Sequence, residues 1–267
     1  MERTFLATLV FHGGGFVGWQ RQASGRSIQG EIERVLLRLE GKATTVYGAG
    51  RTDAGVHALG YGASFTVRSR WTPDALQRAM NALLSDECWV TSVQPMNEAF
   101  HARKCATARR YRYEIGTDAS CRSPFRIGRE WALGKPLDLS AMMVAAAALP
   151  GEHHFRAFAV RTTPVPHHRC RIALAEWTPR TEAMGLRFTS EADRFRHHMV
   201  RFLVGTMVEI GLGKRPVGDL AQLLLRTDND ETSPPAPAAG LYFESVTYPR
   251  HWYAEPEEPM PVNEWPA

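Results

Sequence analysis

The chain has 267 residues, 44% of them hydrophobic and 22% charged, so it can bury a packed core, and wholesale disorder is excluded. The net charge of +4 is uneven: the stretch from Trp252 to Ala267 holds Glu255, Glu257, Glu258 and Glu264 without a Lys or Arg, which leaves +8 on the rest. A positive body favours a polyanionic partner, but charge alone does not separate RNA from DNA or an acidic protein.

Arginine outnumbers lysine 28 to 4. The ratio suits bidentate phosphate contacts, but codon bias explains it equally well. Cys88, Cys105, Cys121 and Cys170 are scattered with no C-x-x-C pair, which excludes a disulfide framework and a zinc knuckle. Reduced thiols and a cytoplasmic location are expected. The longest apolar stretch, Met142 to Leu149, is too short to span a membrane, and the N-terminus shows no signal peptide. A soluble protein is expected.

In chain order, Thr4–Phe11 alternates as a strand. Ser27 caps a helix that turns Ile28, Ile32, Val35, Leu36 and Leu39 to one side. Thr44–Tyr47 and Tyr61–Val67 read as strands around a Gly-rich loop, Gly48–Gly60. Thr72-Pro73 opens a second helix with Leu76, Met80 and Leu83 inward, and Cys88–Val93 closes a β-α-β-β-α-β series. That order returns with a different sequence: strand Arg109–Ile115, helix Leu139–Leu149, strands Arg169–Thr178 and Leu186–Glu191, helices Phe195–Leu212 and Val217–Leu225, and strand Leu241–Tyr248. An α+β fold follows, with two ferredoxin-like (split β-α-β) halves sharing a broad, mostly antiparallel sheet. The halves fall at 1–105 and 106–250, followed by an acidic Pro-rich tail, 251–267. Thr232–Ala239 reads as a linker into the last strand, and the tail from Glu255 is expected to lie loosely on the surface.

The densest chemical signal is Gly48-Ala49-Gly50-Arg51-Thr52-Asp53-Ala54-Gly55-Val56-His57-Ala58. Three glycines permit a sharply bent path that can present a side chain to a ligand. Asp53 is the loop's one carboxylate, and Arg51 stands two residues before it. An adjacent guanidinium favours the ionised form of a carboxylate, which is the form a nucleophile needs. Asp53 bonding only backbone amides in an Asx turn fits these residues equally well. A phosphate-cradling P-loop does not fit, since G-x-x-x-x-G-K-[ST] is absent.

Between His101 and Tyr113 the chain carries Arg103, Lys104, Arg109, Arg110 and Arg112 with no acid, interleaved with aromatics as in single-strand RNA binders. Arg161, His167, His168, Arg169 and Arg171 form a second basic cluster. The pairs His153-His154 and His197-His198, and the set His167, His168 and Cys170, lack ligand spacing, so no metal site is expected. His57 and His101 are read as packing or RNA contacts.

The run Gly50-Arg51-Thr52-Asp53-Ala54-Gly55-Val56-His57-Ala58 resembles the signature of the TruA family of tRNA pseudouridine synthases. Gly18-Trp19-Gln20-Arg21-Gln22 with Ser27-Ile28-Gln29, Phe100-His101-Ala102-Arg103 with Ala106–Tyr113, Phe195–Arg201 with Val204-Gly205, and Pro234–Leu241 are similar to its other motifs, in order along nearly the whole chain. The resemblance implies the pseudouridine synthase fold with a central RNA-binding cleft. By the same resemblance Asp53 is catalytic and Tyr111 stacks on the target base, where it could also act as a base. Arg201 pairs with the aspartate, and Arg51 flips or holds the nucleotide. Gln20, Arg21, Arg103, Arg109 and Arg110 are expected RNA contacts. The implied activity is isomerisation of uridine to pseudouridine on the 3′ side of the tRNA anticodon stem-loop, by a homodimer using no cofactor and no metal.

Two departures from the family pattern stand out: Phe11-His12-Gly13 replaces Tyr-Asp-Gly, and Arg196 replaces an apolar residue. The rival expectation is a non-catalytic, ferredoxin-like RNA-binding module.

Overall fold

The computed structural model describes residues 2–160 and 167–254. Arg161 of the second basic cluster and the acidic segment from Glu255 onward lie outside the described residues.

The first half runs β1 (Glu2–Phe11), α1 (Ile28–Glu40), β2 (Tyr47–Gly48), β3 (His57–Arg68), α2 (Pro73–Asn81) and β4 (Cys88–Met96). The second runs β5 (Ala108–Gly116), β6 (Trp131–Ala132), α3 (Leu139–Ala146), β7 (Gly151–His154), β8 (Arg169–Pro179), β9 (Gly185–Ala192), α4 (Met199–Gly211), α5 (Asp219–Leu223) and β10 (Leu241–Thr247). All these strands share one ten-stranded sheet in the order β4-β1-β3-β10-β5-β9-β8-β7, with β2 on β3 and β6 on β5. Every pairing is antiparallel except β10 with β3 and β5 with β6.

Helix starts follow local chemistry. The Ser27 hydroxyl accepts from Gly30 N–H, and that of Thr72 from Ala75 N–H ahead of Pro73. Successive strand residues face opposite sides of the sheet. Phe5, Leu9, Tyr113, Phe188 and Trp177 therefore meet Ile28, Ile32, Met80, Leu203 and Met207 in one continuous core under the helices. Leu6 points the other way, into a smaller cluster with Met96, Phe100, Ala102 and Tyr248.

Several elements differ from expectation, among them β2, which covers Tyr47–Gly48 rather than Thr44–Tyr47. β3 starts at His57 rather than Tyr61, because His57 and Ala58 pair in parallel with Tyr242 and Phe243. That long-range pairing holds a glycine-broken stretch that local alternation does not mark as strand. α4 starts at Met199 rather than Phe195, because His198 adopts a left-handed backbone (φ 61°) that no helix can pass through. The short strands β6 and β7 carry no local signal, since two and four residues pair there through the sheet alone.

Candidate active site

The sheet's two halves meet where β3 and β10 touch, and the loop between β2 and β3 rises beside that seam. Glycine lets the N-terminal motif pack directly against this loop. Gly18 has φ +104°, and a Cβ there would lie 2.5 Å from Thr52 O. Trp19 N–H donates to Thr52 O at 3.1 Å, and the Gln29 amide donates to Val46 O at 3.2 Å. The buried Tyr61 hydroxyl donates to Gly50 O. The loop that carries Asp53 is thus fastened on both flanks.

Asp53 faces the start of α4. Its Oδ2 accepts from Arg201 Nη1 at 3.1 Å and lies 3.4 Å from His198 Nε2, while Oδ1 lies 3.5 Å from His197 Nε2. Arg201 is itself oriented, donating through Nε to Ala236 O at 2.7 Å, with its own carbonyl accepting from Ala236 N–H at 2.9 Å. The proline-rich segment reaches α4 because Gly205 has no side chain: a Cβ there would lie 2.2 Å from Pro234 O. Burial depresses the His198 imidazole pKa, and the Asp53 charge partly opposes that shift.

Tyr111 lies beside Asp53, its ring held edge-on by Phe195 and Phe243 with centroids 5.0 Å away in each case. Burial first, and then the Asp53 charge, push the Tyr111 phenol well above its ordinary pKa, so it stays protonated at neutral pH. Arg51, Thr52, Asp53, Tyr111, Phe195 and His198 line a common cavity. Next to it opens a cleft of about 750 Å³ whose walls come from both halves, with Trp19, Tyr47 and Arg51 on one side and Arg109, Arg194 and Arg196 on the other.

The expected site residues separate into groups. Asp53, Tyr111 and Arg51 share one cavity, with Arg201 behind the carboxylate. Arg51 is exposed and has no partner among the described residues. Gln20, Arg21 and Arg103 line the adjoining basin together with Arg51. Arg21 is also paired with Glu33 at 3.2 Å.

Two expected RNA contacts are placed differently. Arg110 projects from the opposite face of β5 to Tyr111 and pairs with Glu191 at 2.8 Å. Its position gives no support to a phosphate contact inside the cleft. Arg109 does face the cleft, but its guanidinium is occupied by main-chain carbonyls. Nε and Nη2 donate to Ala49 O at 3.2 and 3.1 Å, Nη2 to Arg103 O at 2.7 Å, and Nη1 to Ala106 O at 3.1 Å and Asp193 O at 2.8 Å. An arginine has five N–H donors, and all five are engaged. Arg109 therefore ties the aspartate loop to the segments around residues 103–106 and 193.

His57 is a packing residue: Nδ1 accepts from Gly13 N–H at 3.1 Å, which leaves Nε2–H to donate to Ala239 O at 3.2 Å. His12, at the departure from Tyr-Asp-Gly, rests against the His57 ring. Arg196 donates to Arg169 O at 3.2 Å and lies on the cleft wall.

Spacing along the chain gave no reason to expect His197, His198, Phe195 or Tyr47 at the site. The signal was present for the first three, since they stand inside the Phe195–Arg201 motif. Tyr47, stacked near His101 with centroids at 4.4 Å, carried none. His197 and His198, whose spacing along the chain marks no ligand set, come together with Asp53: one ligand atom from each of the three lies within 4.8 Å of the others. The third ligand is far away in sequence, where local spacing cannot show it.

The chain matches the sequence profile of the family described as tRNA pseudouridine synthase over residues 8–103 and 145–249. It is 38% identical over 247 residues to the tRNA pseudouridine synthase A of Moorella thermoacetica, covering 90% of this chain and 98% of that one. Identity to the protein of that name from Beijerinckia indica is 37% over 261 residues, 95% of this chain and 96% of the relative. For the Myxococcus xanthus protein of the same name it is 38% over 243 residues, 90% of each chain. With a profile match over most of the chain and relatives 37–38% identical across nine-tenths of it or more, the chain belongs to the tRNA pseudouridine synthases, a family of isomerases.

Proposed function

We propose that this protein isomerises uridine to pseudouridine on the 3′ side of the tRNA anticodon stem-loop, with Asp53 as the catalytic carboxylate. One observation carries the proposal: the Asp53 carboxylate is aligned by Arg201 at 3.1 Å, beside a buried aromatic ring, in a cavity that adjoins a basic cleft. The reaction breaks the N1–C1′ bond, forms C5–C1′, removes the proton from C5 and returns one to N1. It is redox-neutral and needs no energy source.

A stacked base cannot reach a loop at the bottom of a cleft, so the target nucleotide is flipped out. Arg51, exposed and unpartnered among the described residues, fills the gap or holds the nucleotide. Tyr111 receives the uracil; its protonated phenol fits stacking and hydrogen-bond donation better than proton abstraction. Arg201 orients Asp53, and Gln20, Arg21 and Arg103 contact the RNA backbone.

We further propose that residues 1–105 and 106–250 are two ferredoxin-like halves. The shared strand order supports this: β4-β1-β3-β2 in the first and β10-β5-β9-β8 in the second. The working form is a cytoplasmic homodimer with the tRNA cradled between subunits.

A non-catalytic RNA binder is the weaker reading, because it has no use for a carboxylate held beneath phosphates. Incubation with an unmodified tRNA transcript, followed by carbodiimide mapping, tests the choice. Pseudouridine on the 3′ side of the anticodon stem-loop is expected. Retention of the tRNA with no pseudouridine anywhere would favour the binder.

A further inference from the structure

The catalytic loop and the start of α4 bring together a carboxylate and two imidazoles. His197 and His198 are consecutive, and in an extended segment their side chains would diverge. The left-handed backbone at His198 turns both rings toward Asp53, with centroids 4.1 Å apart. The Asp53 oxygens lie 3.5 Å from His197 Nε2 and 3.4 Å from His198 Nε2. Zn²⁺ holds such nitrogens and oxygens at about 2.0–2.2 Å, so tetrahedral angles separate neighbouring ligand atoms by about 3.3–3.5 Å. Each imidazole stands at that spacing from one carboxylate oxygen, His197 from Oδ1 and His198 from Oδ2, and one ligand atom from each of the three residues lies within 4.8 Å of the others.

We infer that Asp53, His197 and His198 form an inhibitory site for a borderline divalent cation of the Zn²⁺ class, completed by water. Two imidazoles and one carboxylate suit Zn²⁺, whereas Mg²⁺ prefers oxygen ligands and keeps its waters, so it does not compete. A carboxylate has lone pairs enough to meet the ion and Arg201 together. The Arg201 charge, 3.1 Å from Oδ2, works against a cation, so micromolar rather than tighter affinity is expected. An occupied site blocks turnover because the carboxylate that serves the uridine is then bound to the ion. That inhibitory consequence rests on the role proposed for Asp53, while the binding itself does not.

Titration of the metal-free protein with Co²⁺, read by visible absorption, tests the site without tRNA. One equivalent is expected to bind with a spectrum typical of four or five ligands, and Zn²⁺ should displace it. The signal should vanish in Asp53→Ala, His197→Ala and His198→Ala proteins that still melt cooperatively, and persist in His167→Ala. In parallel, pseudouridine formation by wild-type protein in Mg²⁺ should fall at least tenfold at saturating Zn²⁺. The midpoint should match the binding constant, and EDTA should restore the rate. Binding that survives the three site variants, or full turnover at saturating Zn²⁺, would overturn the inference. Absence of pseudouridine without any Zn²⁺ would instead count against the proposed activity.

Discussion

Three arginines near the cleft hold three unlike positions, and each makes its own prediction. Arg109 spends every donor on carbonyls of segments that meet at the aspartate loop. Charged hydrogen bonds contribute about 1.5–3 kcal/mol each, and their loss strands the carbonyl of the fully buried Ala49. Arg109→Lys, which keeps the charge but not the fork, is expected to cost about 2–4 kcal/mol in urea denaturation. Arg110, on the far face with Glu191, should tolerate alanine with tRNA affinity within about twofold and an unchanged salt slope. Arg51→Ala should instead lower the slope of log K against log salt by about one phosphate's worth, measured by filter binding across a salt series. Tyr111→Phe keeps the ring and removes a hydroxyl that burial holds protonated. Single-turnover assays should show the rate falling about tenfold or more while tRNA affinity stays within about twofold. Alternation along β5 puts Arg110 on the face opposite Tyr111, which the expectation of both at the RNA had not used. What the sequence could not show was the fate of Arg109, because its acceptors come from residues 49, 103, 106 and 193 and meet only after folding.

At the level of elements, the seam between β3 and β10 is the joint on which the cleft depends, and it rests on two residue pairs, the buried His57 with Tyr242 and Ala58 with Phe243. Burial, and then the neighbouring His12, depress the His57 pKa to about 4. The folded protein therefore resists protonation that the unfolded chain accepts near its ordinary value of about 6.5. Below that value the unfolded state binds the extra proton, so stability falls with pH through the window from about 6.5 down to about 4. The loss is of the order of 3 kcal/mol if the shift acts in full. His57→Gln should flatten this dependence while lowering stability at pH 7, as read by denaturant titrations at several pH values. An unchanged slope would mean that other groups carry the acid sensitivity. The helices α1 and α2 were legible because their caps and apolar spacing are local. The first residues of β3 and the left-handed turn at His198 were not, because a partner strand and the packing around Asp53 impose them.

Across the whole molecule, the α+β class, the broad, mostly antiparallel sheet and the Gly-rich loop that carries Asp53 could be read from sequence. Strand alternation, helix caps and the ordered motifs are each encoded locally. The order of strands where the sheet joins was not encoded in any short stretch, nor was the convergence of the aspartate loop with His197 and His198. No described helix is long and apolar enough to cross a membrane. The positive body and the two-walled cleft agree with a large polyanion as the bound partner. The proposed activity turns on one carboxylate, so the decisive measurement is made on Asp53→Asn. The amide is nearly isosteric and can keep turn hydrogen bonds, but it is a poor nucleophile and a poor proton acceptor. Melting temperature, tRNA affinity and pseudouridine yield should be measured on the same preparation. A melting point within a few degrees of wild type, affinity equal or tighter, and no pseudouridine are expected. A folded Asp53→Asn protein that binds tRNA and still forms pseudouridine above a trace would contradict the role proposed for Asp53.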